Sequence, residues 1–497
     1  MFLKVTLNFK KILYFLIIFL LFTFLSLPAT TLAAGPMGVQ FGAPIDGTTK
    51  QLYLTDAVAD QLAKSGAGWV RLNFIVSPYG SDNSEFYSVY DGIVNRLRSR
   101  GLQIVGLMSN ESWPGSQQDW VANNNEKRGG DGYNTYIDKY GYAFARMAKH
   151  WEGKIKYWEI WNEPNAYSQD PNQNPDSPGG SFIYPSNFAA MLTHAHSQVH
   201  YYNKIDVQII SGGIFGHDIS GFAPGPAGAD YLSDTYNMGI NQTGKFAWAK
   251  ATYGTYPLDA IGQHIYINQW PSNSVLDTTA FLNYINYYQD VIKKWEGVFS
   301  NKKIWITEFG WATNNMSESQ QASNLEKAFK IIKGKGVVDS ALWFKLEEDP
   351  KAGLYFGLYR ADGTQKPSYS KFKTANTYEG KKSNGTTVTK ISSYFKNKGG
   401  LKAFGSPYDN GGSVYAHTWD FGYVQDFKGG EFGPLAIFDT GYRVQLGFWS
   451  EYLQNNNHNK LRFPTSDEFS SGLGVRQNFQ GGYMTWNPIT GVNVTVY

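Results

Sequence analysis

Cysteine is absent from the 497 residues, which excludes disulfide staples, a thiol nucleophile and cysteine-ligated zinc or iron–sulfur centres. An excess of one charge is lacking too: 44 Lys and Arg face 41 Asp and Glu, and three of those lysines (Lys4, Lys10, Lys11) fall in the first 34 residues, which hold no acid. Beyond that segment the two signs balance, so nothing favours nucleic acid or an anionic membrane surface. Long apolar runs are missing apart from Ile12 to Leu27. That run follows the lysines and leads through Pro28 into Ala29-Thr30-Thr31-Leu32-Ala33-Ala34, the layout of a secretory signal cleaved near Ala33 or Ala34. Its length also approaches that of an uncleaved anchor. Aromatic residues are plentiful, at 16% of the chain, and serve equally for cores and for stacking on flat ligands.

From residue 35 to 378 short β-branched or aromatic runs alternate with longer helical patterns, the mark of βα units around a parallel sheet. Eight strands are expected: Val39 to Phe41, Trp69 to Phe74, Gln103 to Leu107, Ile155 to Trp161, Val207 to Ser211, Ala260 to Tyr266, Lys303 to Thr307 and Ser340 to Phe344. Eight such units predict an α/β fold, a (β/α)₈ TIM barrel. An open doubly wound sheet is the rival, but Gly42-Ala43-Pro44 is no phosphate-binding turn. Helical stretches include Tyr87 to Ser99, Tyr184 to Tyr202 and Phe281 to Trp295, and Ser317 to Gln320 reads as a capping box. Residues 379–395 have the polar, turn-rich composition of a linker, and 396–497 form a smaller, β-rich tail. In that tail Gly422, Gln425, Phe427, Gly429 and Gly430 recur as Gly474, Gln477, Phe479, Gly481 and Gly482, a duplication at one constant offset.

Two strand ends carry chemistry. The fourth strand closes on Trp161-Asn162-Glu163-Pro164, and the seventh on Thr307-Glu308-Phe309-Gly310-Trp311. In a parallel barrel the C-terminal strand ends face one mouth, so these carboxylates converge although far apart in sequence. One acid that protonates a leaving oxygen and one carboxylate that attacks or activates water are what glycoside hydrolysis requires. The paired motifs resemble clan A of the glycoside hydrolases, in detail the family five and family thirty-nine types, over the span from Val39 to Tyr378.

That resemblance implies a retaining β-glycosidase with Glu163 as acid/base, Glu308 as nucleophile and Asn162 on the sugar 2-hydroxyl. A retaining mechanism predicts the shorter carboxyl separation, about 5 to 5.5 Å, with a raised pKa for Glu163 and an ionised Glu308. Arg71 and Tyr266 match positions that hold the nucleophile; Arg71 also reads as a structural ion-pair partner of Glu159, and Tyr266 and His264 as barrel packing. Trp343 matches the clan's floor tryptophan, and Trp113, Trp270 and Trp311 follow strands where further sugars would bind. Glu111 is at most a substrate contact.

His194, His196 and His200 cluster on the fourth helix, with the last two on one face. No acidic third ligand stands at motif spacing, so they read as a solvated face, and neither metal nor cofactor is expected. The tail repeat resembles the LGFP repeat, a module associated with cell-wall attachment, with the naming tetrapeptide altered to Phe404-Gly405-Ser406-Pro407 and Leu461-Arg462-Phe463-Pro464. The expected partners are a polysaccharide or oligosaccharide substrate and, through the tail, a cell-wall polymer, with no nucleic acid and no membrane after signal cleavage. The protein is expected to be secreted, extracellular or wall-associated. A catalytically silent carbohydrate-binding or wall-anchoring protein is the alternative. Sugar, linkage and endo or exo action stay open.

Overall fold

The computed structural model describes residues 37–79, 83–110, 112, 134–170, 172–174, 178–216, 228–267, 275–314, 316–335, 337–376, 386–398, 403–404, 416–419, 421–427 and 432–497. The signal segment, Glu111, Trp113, Trp270, Gly405 to Pro407 and the Gly429-Gly430 pair lie outside them. Among the described residues no helix is long and apolar enough to cross a membrane.

Eight parallel strands close into a barrel in chain order: β1 (Met37–Gly42), β2 (Trp69–Asn73), β3 (Gln103–Met108), β4 (Tyr157–Asn162), β5 (Gln208–Phe215), β6 (Ala260–Ile265), β7 (Lys303–Phe309) and β8 (Val338–Phe344). Helices α1 (Asp56–Lys64), α2 (Ser84–Arg98), α3 (Thr135–His150), α4 (Pro185–His196), α5 (Gly228–Asn237), α6 (Lys245–Tyr253), α7 (Thr278–Glu296), α8 (Glu318–Gly334) and α9 (Pro367–Asn376) follow the strands.

Local chemistry sets the helix starts. The Asp277 carboxylate accepts from the backbone N–H groups of Thr279 and Ala280 to open α7, and Ser317 caps α8 through Gln320 N–H. Helix α7 buries Phe281, Ile285, Tyr288 and Ile292, a stripe at helical spacing.

Inside the barrel Val105, Ile210, Ala260, Trp305 and Leu342 form a closed plug, with Trp69 and Tyr157 packed on it. The barrel is therefore filled from below its C-terminal rim.

The tail forms two antiparallel sheets, one of β9 (His417–Trp419), β10 (Gly422–Phe427), β11 (Leu435–Phe438) and β12 (Arg443–Gln445) in the order β12-β11-β10-β9, the other of β13 (Phe469–Ser471), β14 (Gly474–Phe479), β15 (Gly482–Asn487) and β16 (Gly491–Val496) in chain order. Strands β10 (Gly422–Phe427) and β14 (Gly474–Phe479) coincide with the repeat read from the sequence, and each buries its Gln and Phe at equivalent positions. Alternation in β11 (Leu435–Phe438) sends Leu435 and Ile437 to one face of the first sheet and Ala436 and Phe438 to the other. The first face packs on helix α10 (Thr389–Asn397) through Ile391 and Phe395. Residues 389–395, read as linker from their polar composition, are thus helical and packed on this sheet, because every third or fourth residue there is apolar. The second face shares a core with Phe448 and Tyr452 of α11 (Leu446–Leu453), Leu461 of α12 (Asn457–Leu461), and Phe479 and Met484 of the second sheet.

Candidate active site

Strand irregularities bring the polar groups to the rim. Ordinary alternation points Trp305 into the barrel and then Thr307, but the β6–β7 pairing slips between Gln263 and His264, so that His264 lies opposite Glu308. This bulge turns two successive side chains, Thr307 and Glu308, inward. On β4 the break is backbone strain: Trp161 and Glu163 have φ of 75° and 46°, where non-glycine residues are uncommon. Trp161 turns outward, its indole N–H donating to Ser181 O at 2.7 Å, while Asn162 and Glu163 reach the mouth.

The strain persists because surrounding bonds over-determine it. Glu163 N–H donates to Gly213 O at 3.1 Å, and Ser181 hydroxyl donates to Glu163 O at 2.8 Å. The Asn165 side chain exchanges two 2.9 Å bonds with the Phe215 backbone, clamping the turn to β5.

Glu308 is held by three donors. Arg71 Nη1 lies 2.7 Å from Oε1, Gln40 Nε2 3.2 Å from the same oxygen, and Tyr266 hydroxyl 2.7 Å from Oε2. Arg71 has no exposed surface; it also donates through Nε to Glu159 and, at 2.8 Å, through Nη2 to Asn162 Oδ1. Arg71 therefore faces Glu159 and Glu308 at once. Burial opposes its charge, but Glu159 and Glu308 keep the guanidinium more firmly protonated than usual. Thr307 donates at 2.8 Å to the other oxygen of Glu159. Burial, reinforced by the Glu308 charge, lifts the Tyr266 hydroxyl well above its ordinary range, so it stays a donor.

Glu163 sits differently. Its side chain leaves a quarter of its surface exposed at the rim, yet the surrounding protein desolvates the carboxylate and pushes its pKa up to about 7 against the pull of Arg71. His264 Nδ1 lies 2.8 Å from Glu163 Oε1 and 3.7 Å from Glu308 Oε2. Burial lowers His264 to about 4, leaving it neutral at pH 7. Carboxylate oxygens of Glu163 and Glu308 come within 4.8 Å of each other. With His264 they offer three ligand atoms for a cation, but Glu308 already faces the Arg71 guanidinium.

Glycines make the room. A methyl group at Gly213 would collide with His264 Nε2 and Glu159 Oε1, and one at Gly262 with Ser211 O.

The aromatic expectations need correction. Trp343 is fully buried, its N–H donating to Phe356 O at 3.0 Å, and it packs on Phe309 and Trp311 in the helix-facing layer. Its strand partners are Phe309 and Val39, whereas Phe344 pairs with Gln40, which points at Glu308. The side chain at the mouth is therefore Phe344, half-buried, 6.2 Å from the Tyr266 ring and next to Phe356. Trp311 is also fully buried, its N–H bonded to Ile267 O at 2.6 Å, and presents no ligand surface. The sequence reading missed Gln40, Asn165 and Phe344.

A groove of about 1190 Å³ runs over the outer helices between Tyr142, Arg146, His194 and Trp248. Among the described residues no Asp or Glu lines it.

Residues 231–372 match the family model of the glycosyl hydrolase catalytic core, and residues 461–496 that of the LGFP repeat. No curated protein matches the chain. Similar solved structures include a family 39 glycoside hydrolase from Bacteroides cellulosilyticus WH2, at 15% identity and TM-score 0.46, covering 82% of this chain and 71% of that one. Others are Thermotoga maritima Cel5A in complex with mannotriose (14%, TM-score 0.45, 70% and 98%) and the endo-β-1,4-glucanase Xac0029 of Xanthomonas axonopodis pv. citri (13%, TM-score 0.46, 69% and 98%). The chain thus carries a glycosyl hydrolase catalytic core on a TIM barrel together with an LGFP repeat, and is a glycoside hydrolase.

Proposed function

We propose that the protein is a retaining β-glycosidase working by double displacement, with Glu308 as nucleophile and Glu163 as acid/base. An oxygen of Glu163 within 4.8 Å of one of Glu308 supports this reading, because a retaining pair of carboxyl groups stands about 5 to 5.5 Å apart and an inverting pair about 6.5 to 9.5 Å. His264 occupies Glu163 Oε1, leaving Oε2 to protonate the glycosidic oxygen. Glu308 attacks the anomeric carbon as the bond breaks, forming a glycosyl ester. Its negative charge then disappears, which lowers the proton affinity of the nearby Glu163 and turns it into the base for the incoming water. Asn162, oriented by Arg71, is placed to meet the sugar 2-hydroxyl. Phe344 takes the platform role expected of Trp343, offering an apolar face to the sugar C–H surface. The substrate proposed is a β-linked polysaccharide or oligosaccharide. The apolar leader supports secretion, and the LGFP repeat supports retention at a cell-wall polymer. Proton NMR of the first-formed sugar during cleavage of an aryl β-glycoside tests the mechanism: β product is expected, and initial α product rejects it.

The acid/base assignment has a pH consequence. Glu163 must be protonated in the free enzyme, so kcat/KM should fall by about tenfold per unit as pH rises beyond roughly 7, its raised pKa. In Glu163→Gln that limb should vanish for substrates with activated leaving groups. A wild-type alkaline limb near pH 5 would assign the proton to another group.

Tyr266 has a measurable share. A hydrogen bond to a charged group is worth roughly 1.5–3 kcal/mol, so Tyr266→Phe should lower kcat/KM by about 10- to 100-fold with little change in Tm. A loss under about twofold would remove it from the machinery.

A further inference from the structure

We propose that His196, His200 and Asp259 bind a divalent transition-metal ion, zinc in class, on the barrel face opposite the two active-site glutamates. His196 ends α4 and His200 lies in the wider turn Ser197–Tyr202 that continues it, while Asp259 immediately precedes β6. Wide turns of this kind recur at functional sites. The third ligand that the helix lacks is thus supplied by a residue distant in sequence, and His196 is buried instead of solvated.

One ligand atom from each of the three residues lies within 4.8 Å of the other two. The imidazole centroids are 4.5 Å apart. His196 Nδ1 and His200 Nε2 are buried without a hydrogen-bond partner among the described residues, a state that buried polar atoms seldom keep without a water or an ion. His200 Nε2 stands 3.7 Å from Asp259 Oδ2, too far for a hydrogen bond. Two ligands about 2.05 Å from a tetrahedral zinc are about 3.4 Å apart, so the gap suits a shared ion. Asp259 Oδ2 accepts Ile209 N–H at 2.7 Å, the kind of outer bond that orients a ligating carboxylate.

The neighbouring cation is already engaged, Lys302 Nζ pairing with Glu296 Oε1 at 2.7 Å and bonding Leu258 O. His200 and Asp259 are half-buried and leave a path for the ion, and a water would complete the set. The other end of β6 carries His264, about 15 Å away at roughly 3.3 Å per residue, so the ion would tie α4 to the barrel floor without touching substrate.

Untagged full-length protein, freed of metal with a chelator, should bind one equivalent of ZnCl₂ by calorimetry at pH 7.5 and gain about 2 °C or more in Tm at saturating zinc. His200→Ala and Asp259→Asn should each weaken zinc binding by about 10- to 100-fold while keeping glycosidase activity and the chelator-treated Tm. Glu163→Gln should bind zinc as the wild type does, separating this site from the active-site carboxylates. Absence of a stoichiometric event in the wild type, unchanged affinity in both variants, or loss of binding in Glu163→Gln would each overturn the proposal. Should His200→Ala not fold, Asp259→Asn decides alone, since its amide oxygen still accepts from Ile209.

Discussion

Glu308→Ala is expected to lose about five orders of magnitude in kcat/KM on any β-glycoside the enzyme turns over, the scale at which removal of a covalent nucleophile is felt. The side chain it removes is the shared acceptor of Arg71, Gln40 and Tyr266, whose donors converge where negative charge leaves Glu308 as the ester forms. Truncation leaves a vacancy on that face of the sugar, beside a cationic guanidinium. Added azide should therefore enter it, attack an activated aryl β-glycoside and release the α-glycosyl azide. Recovery of α-azide identifies Glu308 as nucleophile in a way that loss of rate alone does not. A β-azide, or no rescue together with an activity loss below about a hundredfold, would reject the role.

Glu163→Ala should split substrates by leaving group. With a dinitrophenyl group, which departs without a proton, the first step needs no acid and kcat/KM should change little. With a sugar alcohol as leaving group the loss should reach about 10²- to 10⁴-fold, the usual contribution of general acid catalysis. The second step still lacks its base, so on the activated substrate the glycosyl-enzyme accumulates and kcat falls together with KM. Azide should accelerate that step and give a β-glycosyl azide, the opposite anomer to the one expected from Glu308→Ala. Equal losses on both substrate types would deprive Glu163 of its assignment.

Both glutamates were legible in the sequence because each stands at a strand end in a local pattern that a reader can place: β-branched or aromatic residues, then a carboxylate, with proline or glycine one or two residues on. The barrel was legible for the related reason that eight such strands recur between helical periods. Trp343 was misplaced by one residue. In a strand one residue is the difference between the inner face and the outer, and the β7–β8 pairing slips between Ile306 and Phe309, so counting from Glu308 across to β8 loses parity. Gln40 was hidden for a different reason. A glutamine on a short strand has no signature, and its role appears only when β1 is laid beside β8 and across from Arg71. Asp259 was out of reach as a partner of His196 and His200 because a contact spanning β5 and the helices after it leaves no spacing to recognise. The helix Thr389–Asn397 was obscured by polar neighbours, its apolar side being short and meaningful only against the sheet it covers.

The bare glycines at 213 and 262 also limit how this enzyme can be retuned. Where they stand, main chain, imidazole and carboxylate fill the volume that any β-carbon would need. Library design aimed at a new sugar specificity should therefore leave strands five and six untouched and draw its diversity from the segments that rise above the rim. Any laboratory selection that does recover a substitution at Gly213 should carry a companion change at His264 or Glu159, and sequencing the survivors would reveal that pairing.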